Sequence, residues 1–366
     1  MDLKLTPLAA EHKKLGAQMG PFGGWLMPIQ YTGIIAEHTW TRQSASLFDI
    51  CHMGEFFVYG DPEKTNLNRI VTINLDKIQA GSCRYGSMLN DKGGVIDDLI
   101  VYRTKPDKWM LVVNAARIDT DEANLKRNLS PGTKLENVSA KLGKLDLQGP
   151  LSLEIMRQFI GPKISGLKYY TFGSFMMLGE ENIISRTGYT GELGYELYLS
   201  SDKIADLWNL LLKDKRLKPA GLGARDTLRL EMGYSLYGQD VTEDTTPLEA
   251  GLEKFVDFNK DFIGRSALLE KKNNALGKKL IYFITDSRRN PRHNYKIFSE
   301  GREVGFVTSG SFSPSLSFGI GIGYVENGCG KIGSKIMIRQ QDIEINATVT
   351  GKPFYKKGTV KNIGGK

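Results

Sequence analysis

The spacing of hydrophobic residues in the first 130 residues predicts a mixture of helices and strands. Helical spacing predicts helices over residues 8–15, 33–46, 62–75 and 119–129. Apolar and alternating runs predict strands over residues 55–59, 81–90, 95–103 and 109–113. The last helix opens on Asp119, Thr120 and Asp121, which can supply a cap and acidic groups for the helix dipole. We therefore predict an antiparallel sheet backed by helices, the α+β class.

The pattern of the remaining residues predicts a second region of mixed helices and strands, followed by a small barrel. Helices are predicted over residues 152–159 and 202–213, among strand-like runs between 140 and 200. Residues 271–279 are polar, charged and unpatterned, and we interpret them as a linker. Short strands between Gly-rich turns follow, at residues 280–285, 304–308, 319–325, 335–339 and 343–349. We predict a larger unit over residues 1–270 and a barrel-like domain over residues 280–366.

Composition narrows the class of protein. The 366 residues include 41 Gly and 13 Pro, with 40% hydrophobic and 25% charged residues, which excludes a disordered or collagen-like chain. The 3 Cys and 4 His are scattered along the sequence, so we expect no metal site. No apolar run approaches the roughly 18 residues of a membrane span, and the N-terminus lacks the apolar core of a signal peptide. We expect no membrane partner and a cytoplasmic location.

The charge balance is mildly basic. Lys and Arg number 49 against 41 Asp and Glu, which gives a net charge of +8. The basic residues lie in short pairs, without the stacking or helix-turn-helix patterns of nucleic-acid-binding proteins, so we expect no nucleic-acid partner. A basic face for an anionic substrate or an acidic protein fits this pattern better.

The strand predicted at residues 95–103 contains two adjacent carboxylates. The segment 93–102 places Asp97 and Asp98 within an otherwise apolar run, while loops for phosphate binding and nucleophile-elbow motifs are absent from the sequence. Because side chains alternate along a strand, Asp98 shares a face with Tyr102 and Asp97 faces the other way. Either carboxylate could cap the Gly93–Gly94 turn, whereas a buried carboxylate needs partners or a function.

Two further segments concentrate polar and aromatic residues. Residues 186–196 frame Tyr189 and Glu196 with small residues, in a turn that leads into a strand. Residues 224–234 alternate charges around Arg225 and, taken alone, are typical of a solvent-exposed helix face.

Taken together, the segments resemble the aminomethyltransferase (T-protein) family of the glycine cleavage system, whose members bind tetrahydrofolate. The resemblance runs nearly end to end, in ordered blocks at residues 6–8, 24–28, 48–55, 93–102, 112–115, 148–150, 185–196, 219–231, 237–240, 247–252, 308–314 and 352–355. It implies two interlocked α+β subdomains around a central folate channel, plus a small C-terminal β-barrel.

The resemblance also implies a reaction and two partners. In this family, N5 of tetrahydrofolate, the co-substrate, attacks an aminomethyl group on the lipoyl arm of H-protein, giving ammonia, 5,10-methylenetetrahydrofolate and the reduced arm. By matching motifs, Asp98 is the catalytic acid residue, Glu196 holds the pterin and Arg225 contacts substrate oxygens. The remaining folate-site candidates are Tyr85, Tyr102, Tyr189, Tyr234, Met53 and Asn114.

The sequence departs from the family pattern at three places. Cys51 stands where the family commonly has Ser, and Lys361 lies in a C-terminal tail where some relatives have Arg. Asp146 and Leu147 precede Gln148 at positions that are usually more apolar.

Two other functions remain open at this stage. A folate-dependent demethylase of the same fold would take a methyl group from sulfur or nitrogen and need no H-protein. A non-enzymatic folate-binding protein of iron–sulfur maintenance would carry a Lys-Gly-Cys-Tyr motif, and the nearest segment here, residues 234–240, lacks that Cys.

Overall fold

A computed structural model describes residues 2–361, in which helices and strands alternate up to residue 273 and strands follow from residue 278. The α-helices are α1 (Ala9–Lys14), α2 (Ile34–Gln43), α3 (Leu67–Ile70), α4 (Ile118–Asn128), α5 (Ser152–Ile160), α6 (Ile204–Leu211), α7 (Leu222–Glu231) and α8 (Arg265–Asn273). The first ten strands are β1 (Lys4–Leu5), β2 (Gln18–Phe22), β3 (Trp25–Gln30), β4 (Ala45–Asp49), β5 (Gly54–Tyr59), β6 (Ser82–Leu89), β7 (Val95–Lys105), β8 (Lys108–Val113), β9 (Lys134–Asn137) and β10 (Leu142–Gln148). The others are β11 (Phe172–Met177), β12 (Glu180–Ser185), β13 (Gly194–Ser200), β14 (Leu217–Pro219), β15 (Lys278–Thr285), β16 (Lys296–Ser299), β17 (Arg302–Ser313), β18 (Phe318–Glu326), β19 (Lys335–Gln340) and β20 (Ile343–Thr350).

The N-terminal segment forms a small sheet in the order β1-β3-β2 and attaches to the body of the protein through β4. Asp49, at the end of β4, accepts hydrogen bonds from the Thr6 hydroxyl (2.7 Å) and pairs with His12 Nε2 (2.8 Å). All three side chains are buried, so the polar groups satisfy each other where water is excluded.

A five-stranded antiparallel sheet carries the two adjacent acids. Its order is β6-β7-β8-β5-β9. The face of β7 that bears Asp97, Leu99 and Val101 is covered by the segment around α3 and by α4. The opposite face, with Ile100 and Tyr102, turns toward a second sheet and packs against Tyr198. Strand alternation therefore separates the two acids as predicted, with one under helices and one between sheets.

The second sheet has six strands in the order β11-β12-β13-β10-β4-β14. Strand β4 precedes the whole five-stranded sheet in the chain yet pairs with β10 and β14, so the two units are interleaved in sequence. Its outer face packs Leu145 and Leu147 of β10 against α5 and α6. Its inner face therefore presents the alternate residues of β10 and β13, and these are polar: Lys144, Asp146, Gln148, Glu196 and Tyr198.

The C-terminal strands close into a barrel in the order β15-β18-β17-β16-β19-β20. The end of α7 is joined to this barrel by buried charges. Arg229 donates to Asp240 (2.8 Å) and to the Ser309 hydroxyl (2.9 Å), and Glu231 accepts from Ser315 (3.0 Å from the backbone N–H). The α+β class with a small C-terminal barrel is thus confirmed.

The structure corrects several sequence-based expectations. The helix predicted over residues 62–75 is wrong, since only Leu67–Ile70 is α-helical; Asn66 adopts a left-handed conformation (φ 63°) before it. The cap predicted at residues 119–121 is also wrong, because α4 begins at Ile118 without a side-chain cap and Asp121 is buried. Strand β16 was not predicted from its four residues.

Two charged segments differ from prediction because distant parts of the chain pack on them. The proposed linker 271–279 contains the end of α8 and the start of β15. Lys272 pairs with Glu253 at 2.6 Å, and Leu268 of α8 is fully buried. The face of α7 read as exposed is instead buried at Arg229 and Glu231, because the barrel packs on it. Among residues 2–361, no helix is long and apolar enough to cross a membrane.

Candidate active site between the two sheets

Asp98 is held by two hydrogen-bond donors on the inner face of β7. The Tyr85 hydroxyl donates to Oδ2 (2.8 Å), and the side-chain amide of Asn114 donates to Oδ1 (2.8 Å). Asp98 remains partly exposed, and burial raises its pKa above the ordinary value of an aspartate. Tyr85 is itself packed edge-on against Phe255, with 4.7 Å between ring centroids. The three predicted site residues Asp98, Tyr85 and Asn114 thus form one hydrogen-bonded group.

Asp97 lies behind this group and is fully buried. Its Oδ2 accepts the backbone N–H of Asn114 (2.9 Å), and its Oδ1 accepts the Asn114 side-chain amide (2.8 Å). The Asn114 amide therefore contacts both acids, and within residues 2–361 no hydrogen bond joins the Asp97 carboxylate to the Gly93–Gly94 turn.

Glu196 stands on the facing sheet and is 4% exposed. Lys144 Nζ lies 3.1 Å from Oε2, and the Tyr198 hydroxyl donates to the same oxygen (3.1 Å). Burial alone would raise the pKa of Glu196, but the charges of Lys144 and Arg225 lower it below the ordinary value. Within residues 2–361, these contacts use Oε2 and leave Oε1 without a hydrogen-bond donor.

Tyr102 is connected to Glu196 through the Tyr198 hydroxyl and is enclosed by the protein. It is 0% exposed, and its hydroxyl lies 3.0 Å from that of Tyr198 and 3.2 Å from the Ser185 hydroxyl. Because a carboxylate only accepts, Tyr198 donates to Glu196 and can accept from Tyr102. Tyr102, predicted as a folate-site residue, is thus the one member of that set whose side chain is fully enclosed in this structure.

Arg225 and two tyrosines form the third part of the site. The guanidinium donates to Asp146 Oδ2 and lies 5.1 Å from the ring centroid of Tyr189. Tyr189 stacks on Tyr234 with 5.7 Å between centroids and 24° between planes, and its hydroxyl donates to the Ser235 carbonyl. The two rings make a partly exposed aromatic platform beside a cation.

These groups converge on one place. Burial raises the pKa of Tyr189, and the charges of Arg229, Asp98 and Arg225 act on it together. The Arg225 charge also reaches Glu196. Met53 joins the group through its sulfur, 3.8 Å from Lys144 Nζ. Every sequence-predicted site residue except Tyr102 is partly exposed or, in the case of Glu196, keeps one carboxylate oxygen without a donor among the described residues.

The C-terminal tail reaches the loop that carries Tyr189. The Thr359 backbone N–H donates to Glu192 Oε2 (3.1 Å), and Val360 donates to the Gly191 carbonyl (3.0 Å). Glu192 also accepts from Arg42 (2.7 Å). Lys361 follows and is exposed. The tail thus fixes the loop that positions the aromatic platform.

Sequence reasoning missed Lys144, Asp146 and Tyr198 as members of the site. The signal was present in β10, where Lys144, Asp146 and Gln148 recur at every second position of an apolar run. Burial raises the pKa of Asp146 to about 6, against the lowering effect of Arg225. Burial likewise raises the pKa of Glu55, which also faces Lys144, to about 8.

The arrangement combines a proton acceptor, a hydrogen-bonding acceptor and donor, and an aromatic face. Asp98 can accept or return a proton, and its raised pKa brings that transfer closer to neutral pH. Glu196 and Arg225 offer an acceptor and a donor for a flat polar ring, and Tyr189 with Tyr234 offers an aromatic face.

Comparison with known proteins gives one consistent result. The model of the GCVT N-terminal domain matches residues 8–260, and that of the glycine cleavage T-protein C-terminal barrel domain matches residues 278–356. The aminomethyltransferase of Halothermothrix orenii is 47% identical over 96% of this chain and 100% of its own. That of Desulforamulus reducens is 41% identical over 97% of this chain and 99% of its own.

A solved structure agrees with the sequence matches. The crystal structure of the glycine cleavage system aminomethyltransferase T from Bartonella henselae has a TM-score of 0.92 to this fold, with 32% sequence identity. The match covers 98% of this chain and 99% of that one. The chain is therefore an enzyme of the aminomethyltransferase family, the T-proteins of the glycine cleavage system.

Proposed function

We propose that the protein transfers the methylene of an aminomethyl group, carried on the lipoyl arm of H-protein, to tetrahydrofolate. Ammonia and 5,10-methylenetetrahydrofolate are formed, and the lipoyl arm leaves as the dithiol. The observation that carries the proposal is Asp98, a partly exposed carboxylate with one donor on each oxygen. It lies on the strand face that turns toward the sheet of Glu196.

The site residues fit a pterin with a glutamate tail. Glu196 Oε1 can accept an N–H of the 2-amino-pyrimidinone edge, while Lys144 and Tyr198 keep the carboxylate in place. Tyr189 and Tyr234 give the ring an aromatic neighbour. Arg225, 14% exposed at its side chain, can turn its remaining N–H groups toward ring or tail oxygens.

Asp98 has a clear task in such a reaction. Its carboxylate can orient an attacking amine, take up its proton and hand a proton to the amine that leaves as ammonia. In the ionised form it also stabilises cationic charge that develops on carbon and nitrogen. Tyr85 and Asn114 fix both oxygens, and this positioning is the kind of contribution that lowers a barrier by about 7–11 kcal/mol in well-oriented reactions.

The experiment uses the purified protein, H-protein loaded with an aminomethyl group and tetrahydrofolate. We expect ammonia and 5,10-methylenetetrahydrofolate in equal amounts, with neither formed when H-protein or folate is left out. Asp98→Asn should abolish most of the turnover, whereas Asp91→Asn, an exposed acid of the same hairpin, should not.

Two other results would contradict the proposal and indicate a different function. Methyl transfer from N-methylated or S-methylated donors without H-protein would indicate a demethylase. Folate binding without turnover of any donor would indicate a non-enzymatic folate-binding protein.

A further inference from the structure

Asp121 is a buried carboxyl group without an N–H or O–H donor. It lies in the first turn of α4 and is 0% exposed. Within the described part of the chain, no N–H or O–H group donates to either of its oxygens. An ionised carboxylate in such a place would be strongly unfavourable, so the group must keep a proton or find a cation.

In the described part of the chain, no Lys, Arg or His side chain forms an ion pair with Asp121. The positive group whose charge acts on Asp121 is Arg117. Its guanidinium instead donates to Glu243 (2.6 Å) and lies 5.2 Å from the ring centroid of Tyr237. Within residues 2–361, no cluster of acidic, His or Cys side chains is arranged to hold a metal ion.

The carboxyl group beside it is Asp97. Asp121 on α4 and Asp97 on the helix-covered face of β7 are neighbours whose charges act on each other, and both are fully buried. Asp97 also accepts two N–H groups of Asn114, at 2.9 and 2.8 Å. A hydrogen bond between two carboxyl groups needs one proton between them. Since Asp97 takes the N–H donors, the proton belongs on Asp121.

We propose that Asp121 is a positioning residue that holds the proton shared with Asp97 and thereby, through Asn114, fixes the catalytic Asp98 carboxylate. The chain of contacts is continuous. Asp121 donates to Asp97, the anionic Asp97 orients the Asn114 amide, and that amide donates to Asp98 Oδ1 (2.8 Å). The link from Asp98 to turnover rests on the proposed function, whereas the proton on Asp121 does not.

The pKa shifts of Asp121 and Asp97 agree with a proton on Asp121. Burial and the neighbouring Asp97 charge raise the pKa of Asp121 to about 10, and burial with the Asp98 charge raises that of Asp97 to about 7. Between these values the pair carries one proton and one charge. The ionisable groups that face the pair are Asp98 on β7, Arg117 before α4 and Tyr237 on the segment after α7, while Glu243 pairs with Arg117.

The first test compares Asp121→Ala with Asp121→Asn. The alanine variant removes the donor to Asp97, so kcat should fall roughly 10- to 100-fold, the effect of a slightly misplaced catalytic group, with the folate KM little changed. The asparagine variant is neutral and donates an N–H, so it should recover most of that loss. Asp119→Asn, exposed on the same helix turn, is the control.

The pH profile separates positioning from a general structural defect. Asp97 without its donor should have a still higher pKa, so the acid limb of kcat should move to higher pH in Asp121→Ala and stay in place in Asp121→Asn. Equal losses in the two variants, or an unmoved acid limb in Asp121→Ala, would overturn the proposal.

A second measurement needs no activity. Asp121 keeps its proton in the folded state and loses it in the unfolded state above about pH 4, so it costs stability increasingly as pH rises toward 10. Asn has no such dependence. The Tm advantage of Asp121→Asn over the wild type should therefore grow between pH 5 and pH 9. A constant difference would overturn the shared proton even if the enzyme proved to have another substrate.

Discussion

Asp146 and Glu196 stand directly opposite each other on the antiparallel strands β10 and β13, and both carboxylates are buried. Like charges in such a pair repel each other, so each needs its own cation. Arg225 on α7 forms an ion pair with Asp146. Lys144, which lies on β10 like Asp146, forms an ion pair with Glu196 across the strand pair. The pterin-facing wall of the proposed site is therefore an alternation of two anions and two cations.

Removing Lys144 should damage both stability and folate binding. Lys144→Met leaves Glu196 without its cation in a buried place, and breaking such a pair costs about 3–5 kcal/mol. The pKa of Glu196 should rise, so folate binding should weaken as pH falls through the neutral range, because a protonated carboxyl accepts N–H groups less well. The test is folate titration at several pH values, with urea unfolding. Lys141→Met, at an exposed Lys just before β10, should show neither effect.

The two adjacent acids should give different losses. Asp98→Asn removes a proton acceptor at the reacting groups, so transfer should fall by roughly 10²–10⁴-fold with folate still bound. Asp97→Asn replaces a buried acceptor of two N–H hydrogen bonds, so it should lower stability by about 1–3 kcal/mol and reduce the rate less than Asp98→Asn does. Single-turnover rates and thermal unfolding separate these effects. A larger rate loss from Asp97→Asn in folded protein would reverse the two roles.

Glu231, which links α7 to the barrel, should make the protein less stable as the pH becomes acidic. Burial alone would raise its pKa, but hydrogen bonding to His38 and the charges of His38 and Arg42 lower it to about 2. A carboxylate with a depressed folded-state pKa stabilises the fold above its unfolded value and loses this contribution as pH falls toward 2.

The corresponding variant is Glu231→Gln, which should lower the free energy of unfolding by about 3–5 kcal/mol at pH 7. The difference from the wild type should shrink between pH 4.5 and pH 2. Urea unfolding at several pH values measures it. Glu270→Gln, at an exposed position on α8, is the matched control. An equal effect in that variant would contradict the stabilising role of the Glu231 contacts between α7 and the barrel.

The net charge of +8 predicts that salt slows the reaction through association. A basic surface attracts an acidic carrier protein and the anionic folate tail, and ions screen this attraction beyond about 10 Å at 0.1 M. Turnover at subsaturating H-protein should therefore fall between low and moderate ionic strength, while turnover at saturation should change little. Unchanged turnover at subsaturating H-protein would mean that the charge serves solubility only.

Much of the fold and part of the site could be predicted from local patterns. The α+β class, the strand with Asp97 and Asp98, and the opposite faces of these two acids all follow from the two-residue period of a strand. The motifs around Glu196, Arg225 and Tyr189 identified the segments that meet at the site. A period of two or 3.6 residues is a property of the backbone itself, so it can be read without knowing the partners.

Only the tertiary structure decided what covers each face. Lys144 meets Glu196 because β10 pairs with β13, which lies about 50 residues further along the chain. Arg229 and Glu231 are buried because the barrel packs on α7, and Tyr102 is enclosed by the facing sheet. Asp121, predicted as a helix cap, is buried beside Asp97 because α4 packs on β7. Burial, and with it the protonation of these groups, depends on contacts between distant segments, which local hydrophobic spacing does not encode.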